Sequence, residues 1–141
     1  MNDNNRLKVH YNNTLEDSKR VVHRLEHFMV DHALSFSTIN KLLMCVDELV
    51  TNIATHAYDD KNEHTVYLEA RIEEDEFITI EFRDDGKRFD ATQAATPDTT
   101  LSVEDREIGG LGIHLVKSIT DKMEYEREGD YNVLKISKKI E

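Results

Sequence analysis

Residues 45–58 read CVDELVTNIATHAY, and their spacing decides what the chain can fold into. Ile39, Leu42, Leu43, Val46, Leu49, Val50, Ile53 and Ala57 recur every three or four positions, the period of an amphipathic helix. At about 100° per residue, the apolar stripe centres near Ile39, Val46, Val50 and Ile53. Glu48 then points roughly opposite, with Asn52 one turn on and His56 another turn on. Such a row has two readings. It is a solvated polar face, or it faces a ligand: a carboxylate can orient or deprotonate a nucleophile, and an amide oxygen suits a hard cation such as Mg²⁺.

Outward from this helix, the pattern changes in both directions. Residues 6–12, RLKVHYN, alternate apolar and polar and predict a strand. Asn13 or Thr14 caps a first helix that runs to about Leu34, through Leu15, Val21, Val22, Leu25, Phe28, Met29 and Ala33. SFST breaks that period, and Ser37 or Thr38 caps the second helix. After the polar DDKNEH, Val66, Leu68, Ala70 and Ile72 alternate with polar residues. Phe77 and the run Ile78–Phe82 follow, giving a hairpin that turns near Glu74–Asp75 without the usual Asn-Gly pair; Gly86 ends its second strand. Residues 87–108 lack periodicity and hold the one proline, Pro97; a loop this long inside a domain is usually functional or disordered. A third helix runs from about Gly112 to Met123, and a last hairpin turns at Gly129. The order β, α, α, β, β, loop, α, β, β predicts an α+β two-layer sandwich, a mostly antiparallel mixed sheet with helices on one face.

The totals narrow the function. The 141 residues suggest one domain spanning 1–141. A formal net charge of −11 argues against phosphate-backbone binding; it fits a basic protein face or a nucleotide carried with Mg²⁺. No apolar run approaches the roughly 18 residues of a membrane span, and MNDNNRLKVHYN lacks a signal core, so a cytoplasmic protein is expected. One cysteine, Cys45, excludes an internal disulfide and falls on the helix's apolar face. His23 and His27, four apart on the first helix, are a possible metal pair with no third ligand and read as surface.

Two further stretches carry chemistry. GGLG, Gly109 to Gly112, enters a helix, which permits close backbone approach and presents free N–H groups at a positive helix end; it can also be a plain turn. No GK[ST] follows, so it is not a Walker A loop. In FRDDGKRFD an Asp at a strand end can accept from a base amino group, while the next glycine lets a flat ring approach; it can equally be an acidic turn.

ELVTNIATHAY, DDGKRFD, GGLG and NVLKI, in that order, resemble the N, G1 and G2 boxes and the last strand of the GHKL, or Bergerat-fold, ATPases. The nearer resemblance is to the anti-sigma factor serine kinases of bacteria, over about residues 6–140. The resemblance implies ATP and Mg²⁺ as cofactors, with Glu48 as the general base or orienting carboxylate and Asn52 as the Mg²⁺ ligand. It implies Asp84 on the adenine amino group and Gly86 beneath the ring. Gly109, Gly110, Leu111 and Gly112 would bind phosphates, and residues 91–108 would form a mobile lid. His56 and Tyr58 match family positions without an assigned role. Two departures stand out: Lys87-Arg88 replaces a small residue and Pro, and the hydroxyl that often supports the adenine Asp is not evident in GDYN.

The function so implied is an ATP-dependent serine/threonine-protein kinase acting as an anti-sigma factor. It would sequester a sigma factor and phosphorylate a serine of an anti-anti-sigma protein, with no direct nucleic-acid or membrane partner. A homodimer through the first strand and helix is expected. The alternative is an ATP-binding regulatory module that sequesters a protein without phosphoryl transfer. A lone sensor-kinase catalytic domain fits less well, since no helix with a phospho-accepting His precedes the fold.

Overall fold

The structure is a computed structural model describing residues 3–60, 62–93 and 110–140. Five strands, β1 (Arg6–Asn12), β2 (Thr65–Glu73), β3 (Phe77–Asp84), β4 (Lys122–Glu128) and β5 (Tyr131–Lys139), lie in the order β1-β2-β3-β5-β4. All four pairings are antiparallel, so the sheet is antiparallel throughout rather than mixed. The reason is connectivity. The chain leaves β3, crosses through α3 (Gly110–Ile119) and returns as β4 one place beyond β5, which the last hairpin inserts between them.

Alternation along the strands sorts the two faces. Leu68, Ala70, Ile72, Ile78, Ile80, Phe82, Leu134 and Ile136 point inward and are buried. They meet Val21, Leu25 and Met29 of α1 (Leu15–Asp31) and Leu42, Cys45, Val46 and Leu49 of α2 (Phe36–His56). Cys45 is fully buried, and burial pushes its thiol up to about 11, a packing group as its position in the helix predicts. The other sheet face carries Glu69, Arg71 and Glu81, with Arg71 Nε 3.0 Å from Glu73. These pairs lie at the surface, half-buried and open to solvent on one side, and contribute little each.

Helix boundaries differ from the periodicity at three places. The first helix stops at Asp31, not Leu34. Ala33 turns to a left-handed φ of 60°, and the Leu34 N–H donates back to the Met29 carbonyl at 3.1 Å. Leu34, 7% exposed, is the apolar residue that closes this capping turn rather than a further helical position. The second helix starts at Phe36 because Ser35, not Ser37 or Thr38, is the cap: its Oγ accepts from the Thr38 N–H at 3.1 Å. The third helix ends at Ile119. Thr120 Oγ1 donates to the Val116 carbonyl at 2.8 Å, and Met123 belongs to β4.

Other expectations hold. Thr14 caps α1, accepting from Asp17 N–H at 3.1 Å. The β2–β3 turn falls on Glu74 and Asp75, with φ of 57° and 55°, both of the sign a type I′ turn needs. Only residues 91–93 of the expected lid are described, as a short 3₁₀ turn with Ala91 buried; residues 94–108 lie outside the described residues. Among the described residues no helix is long and apolar enough to cross a membrane.

Candidate functional site

The site is built where the C-terminal half of α2 passes the end of β3. The polar row on α2 does not face bulk solvent. Lys41, Met44, Asp47, Thr51 and Thr55 form the exposed face, whereas Asn52 is 6% exposed and Glu48 and His56 are half-buried. The row lies on the flank that α3 and the β3 turn cover. Helical spacing gives its angle from the core stripe but not the elements that pack beside it.

At the sheet end, Gly86 lets the turn after β3 press on α2. A Cβ there would lie 2.3 Å from the Ala57 carbonyl oxygen and 2.7 Å from Ala57 Cβ. The Lys87 N–H donates to the same Ala57 carbonyl at 2.8 Å, and Tyr58 Oη donates to Asp85 at 2.7 Å. The missing side chain of Gly86 thus serves helix–turn packing.

This docking fixes Asp84, 4% exposed. It pairs with Asn132 across β3 and β5, and Asn132 pairs with Arg127 on β4. Oδ1 of Asp84 accepts from Gly86 N–H and from Asn132 Nδ2, both at 3.0 Å. Oδ2 accepts no hydrogen bond among the described residues. Burial raises the pKa of Asp84 above the usual carboxylate range; the bonds from Asn132 and Gly86 oppose that rise, and Asp85 adds to it. Asn132 is in turn held by Tyr125 Oη at 2.6 Å and Arg127 Nη1 at 3.2 Å, and Arg127 Nη1 also donates to the Gly86 carbonyl at 2.8 Å.

A pocket of about 20 Å³ opens beside this network, walled by Asn52, Ile53, Asp84, Phe89, Ala91 and Tyr125 among others. It has room for about one water molecule. Phe89 forms part of the wall and stacks on His56, ring centroids 4.9 Å apart; a planar ligand would enter by displacing that wall.

At the other end, Glu48 reaches α3. A Cβ on Gly112 would fall 1.9 Å from the Glu48 carboxyl carbon, so the glycine leaves the space that the carboxylate fills. Asn52 Nδ2 donates to the Glu48 carbonyl at 3.0 Å and to Glu48 Oε1 at 3.1 Å. Both amide hydrogens being used, Asn52 Oδ1 is left as an acceptor. Among the described residues no three His, Cys, Asp or Glu side chains gather as a metal cage. A single amide oxygen fits Mg²⁺, which takes few protein ligands and completes its shell with water and substrate phosphates.

The structure therefore brings Asn52 and Asp84 onto one pocket, and Glu48 against Gly112 at the first turn of α3. Gly110 and Leu111 are in that turn, and Gly109 lies outside the described residues. His23 and His27 stack at 6.2 Å on the exposed face of α1, remote in sequence from these groups. Sequence reasoning quoted Asn132 as the first residue of NVLKI but gave it no role, and it missed Tyr125 and Arg127. The missed signal was alternation: Met123, Tyr125 and Arg127 share the inward face of β4, so an arginine and an asparagine end an otherwise apolar face.

The family described as histidine kinase-like ATPase domain matches residues 11–138. The chain is 28% identical over 113 residues to the serine/threonine-protein kinase BtrW of Bordetella bronchiseptica, covering 80% of this chain and 79% of that protein. It is 32% identical to the anti-sigma F factor of Clostridium beijerinckii, over 72% of this chain and 71% of that one. In fold it is similar to the RsbU and RsbW domains of a Mycobacterium tuberculosis protein, with a TM-score of 0.69 at 12% identity, covering 96% of this chain and 32% of that chain. A match over nearly the whole length, on a sheet, helices and pocket arranged as described, carries one conclusion: the chain belongs to the histidine kinase-like ATPase family, with serine/threonine-protein kinases and anti-sigma factors among its relatives.

Proposed function

We propose that this chain is an ATP-dependent serine/threonine-protein kinase that also acts as an anti-sigma factor, phosphorylating a serine on an anti-anti-sigma protein. The observation that carries the reading is the Glu48–Gly112 contact, which sets a carboxylate at the start of α3 while Asp84 offers a free oxygen to the pocket on the same side of α2. Asp84 Oδ2 accepts the adenine amino group. The N–H groups of the first turn of α3, Gly110 to Gly112, receive phosphate oxygens at the positive end of the helix. Asn52 Oδ1 is the protein ligand for Mg²⁺, which when bound neutralises charge on the phosphates. Glu48 takes the proton of the incoming serine hydroxyl as its oxygen bonds to the terminal phosphorus and the bond to the bridging oxygen breaks, leaving ADP.

The acidic surface suits a basic partner face, and a sigma-factor partner puts the protein in the cytoplasm. The homodimer through β1 and α1 fits a side-by-side contact better than edge pairing. Arg20 donates to the His10 carbonyl at 2.8 Å and Asp17 accepts from the Asn12 N–H at 2.6 Å, closing that end of the β1 edge.

Calorimetry with ATP and Mg²⁺, followed by transfer of labelled phosphate to a candidate anti-anti-sigma protein, tests the reading. Glu48→Gln is expected to bind ATP and lose transfer by about 10²–10⁴-fold. Binding with no transfer by the unaltered protein supports the module without catalysis, and no binding removes both.

A further inference from the structure

Asn132 carries an assignment that the family boxes do not. It is 4% exposed at the start of β5, opposite Asp84. One amide hydrogen goes to Asp84 Oδ1 at 3.0 Å and the other to the Lys87 carbonyl at 2.8 Å. Its Oδ1 receives Tyr125 Oη at 2.6 Å, Arg127 Nη1 at 3.2 Å and the Phe89 N–H at 3.3 Å. Those partners fix the orientation of the amide, since a flip would set its NH₂ against two N–H donors. Both hydrogens are then used inside the protein, and none remains for a ligand.

We infer that Asn132 is the positioning residue for base specificity. It holds Oδ1 of Asp84, so that only Oδ2, which can accept but not donate, is presented to the pocket. An exocyclic amino group is matched; the carbonyl at the same place on guanine sets acceptor against acceptor. A hydroxyl in place of Asn132 could donate or accept by rotating, and would hold that choice less firmly. The Asn132 network therefore stands in for the hydroxyl absent from GDYN, and it does so through Asp84 without touching the base.

This inference rests on the nucleotide reading above, and the test separates the two. ATP and purine riboside triphosphate, which lacks the amino group, are titrated by calorimetry into the unaltered protein and Asn132→Ala. The unaltered protein is expected to prefer ATP by about tenfold or more. Asn132→Ala should lose most of that preference, weakening ATP while the analogue changes by less than about twofold. Equal weakening of both ligands makes Asn132 merely structural and overturns the inference while nucleotide binding stands. Binding of neither by the unaltered protein overturns both. Should Asn132→Ala fail to fold by circular dichroism, Asn132→Leu, near in size but with no hydrogen to donate to Asp84, reads the same ratio; an unchanged ratio there also overturns the inference.

Discussion

The two glycines of the site differ in what fills the space beside them. Gly86 faces main chain, with the Ala57 carbonyl oxygen 2.3 Å from where a Cβ would sit; Gly112 faces the far end of a side chain, the Glu48 carboxylate. Around Gly86, Asp84, Asn132, Tyr125 and Arg127 form one closed hydrogen-bonded network. Around Gly112, the side-chain bond that the Glu48 carboxylate makes among the described residues is the one from Asn52 at 3.1 Å. The end proposed to take the base is tied at several points, which selection of a ligand requires. The end proposed to take the phosphates turns on the tip of a side chain, which can rotate as a proton acceptor must.

Gly86→Ala should break the first end outright. Backbone must shift to admit the methyl, and a destabilisation of about 3 kcal/mol is expected by thermal unfolding. A melting temperature within a degree of the unaltered protein would show that this end is not rigid. Asp84→Asn sharpens the contrast between stability and binding. Its amide oxygen can keep the bonds from Gly86 and Asn132, but an NH₂ replaces Oδ2, so ATP affinity should fall about 10–100-fold. Its effect on stability has the opposite sign. The folded-state pKa of Asp84 is raised, so its contribution is fully present below the unfolded value of 3.8 and is lost as pH rises through the folded value. The variant should therefore be more stable than the parent at pH 7, with the gain vanishing toward pH 3.8 and below, read from unfolding curves across pH.

Gly112→Ala should do the reverse of Gly86→Ala. Among the described residues the nearest atoms that the methyl meets are those of the Glu48 carboxylate, and alanine favours the helix, so stability should change by less than about 1 kcal/mol while transfer drops sharply. Loss of stability comparable to Gly86→Ala would erase the distinction. The smallest effect is expected at Tyr11, 1% exposed, whose hydroxyl has no partner among the described residues. Burial, and next the charge of Asp84, raise its pKa and keep it protonated. Tyr11→Phe should be neutral or stabilise by up to about 1 kcal/mol in chemical denaturation.

Much of this was legible in advance. The strand at 6–12, the turn at Glu74–Asp75 and the Thr14 cap follow from local patterns that the chain obeys. The helix ends were less so. SFST offers three hydroxyl caps, and the use of Ser35 leaves Phe36 82% exposed at the first helical position, a choice no periodicity favours. Ile119 and Met123 continue a helical spacing, yet Met123 joins β4 because Asp121 N–H is taken by the Ser137 carbonyl at 2.8 Å.

By itself the order of residues determined the two-layer α+β plan and put Glu48 and Asn52 on one flank of one helix, because periodicity and capping act over a few residues. Only the tertiary structure decided that this flank is covered, that one oxygen of Asp84 has no partner among the described residues, and that Asn132, 48 positions away, holds the other. Those outcomes depend on which strand inserts beside β3 and how closely a glycine lets two backbones approach, and packing over long separations sets both.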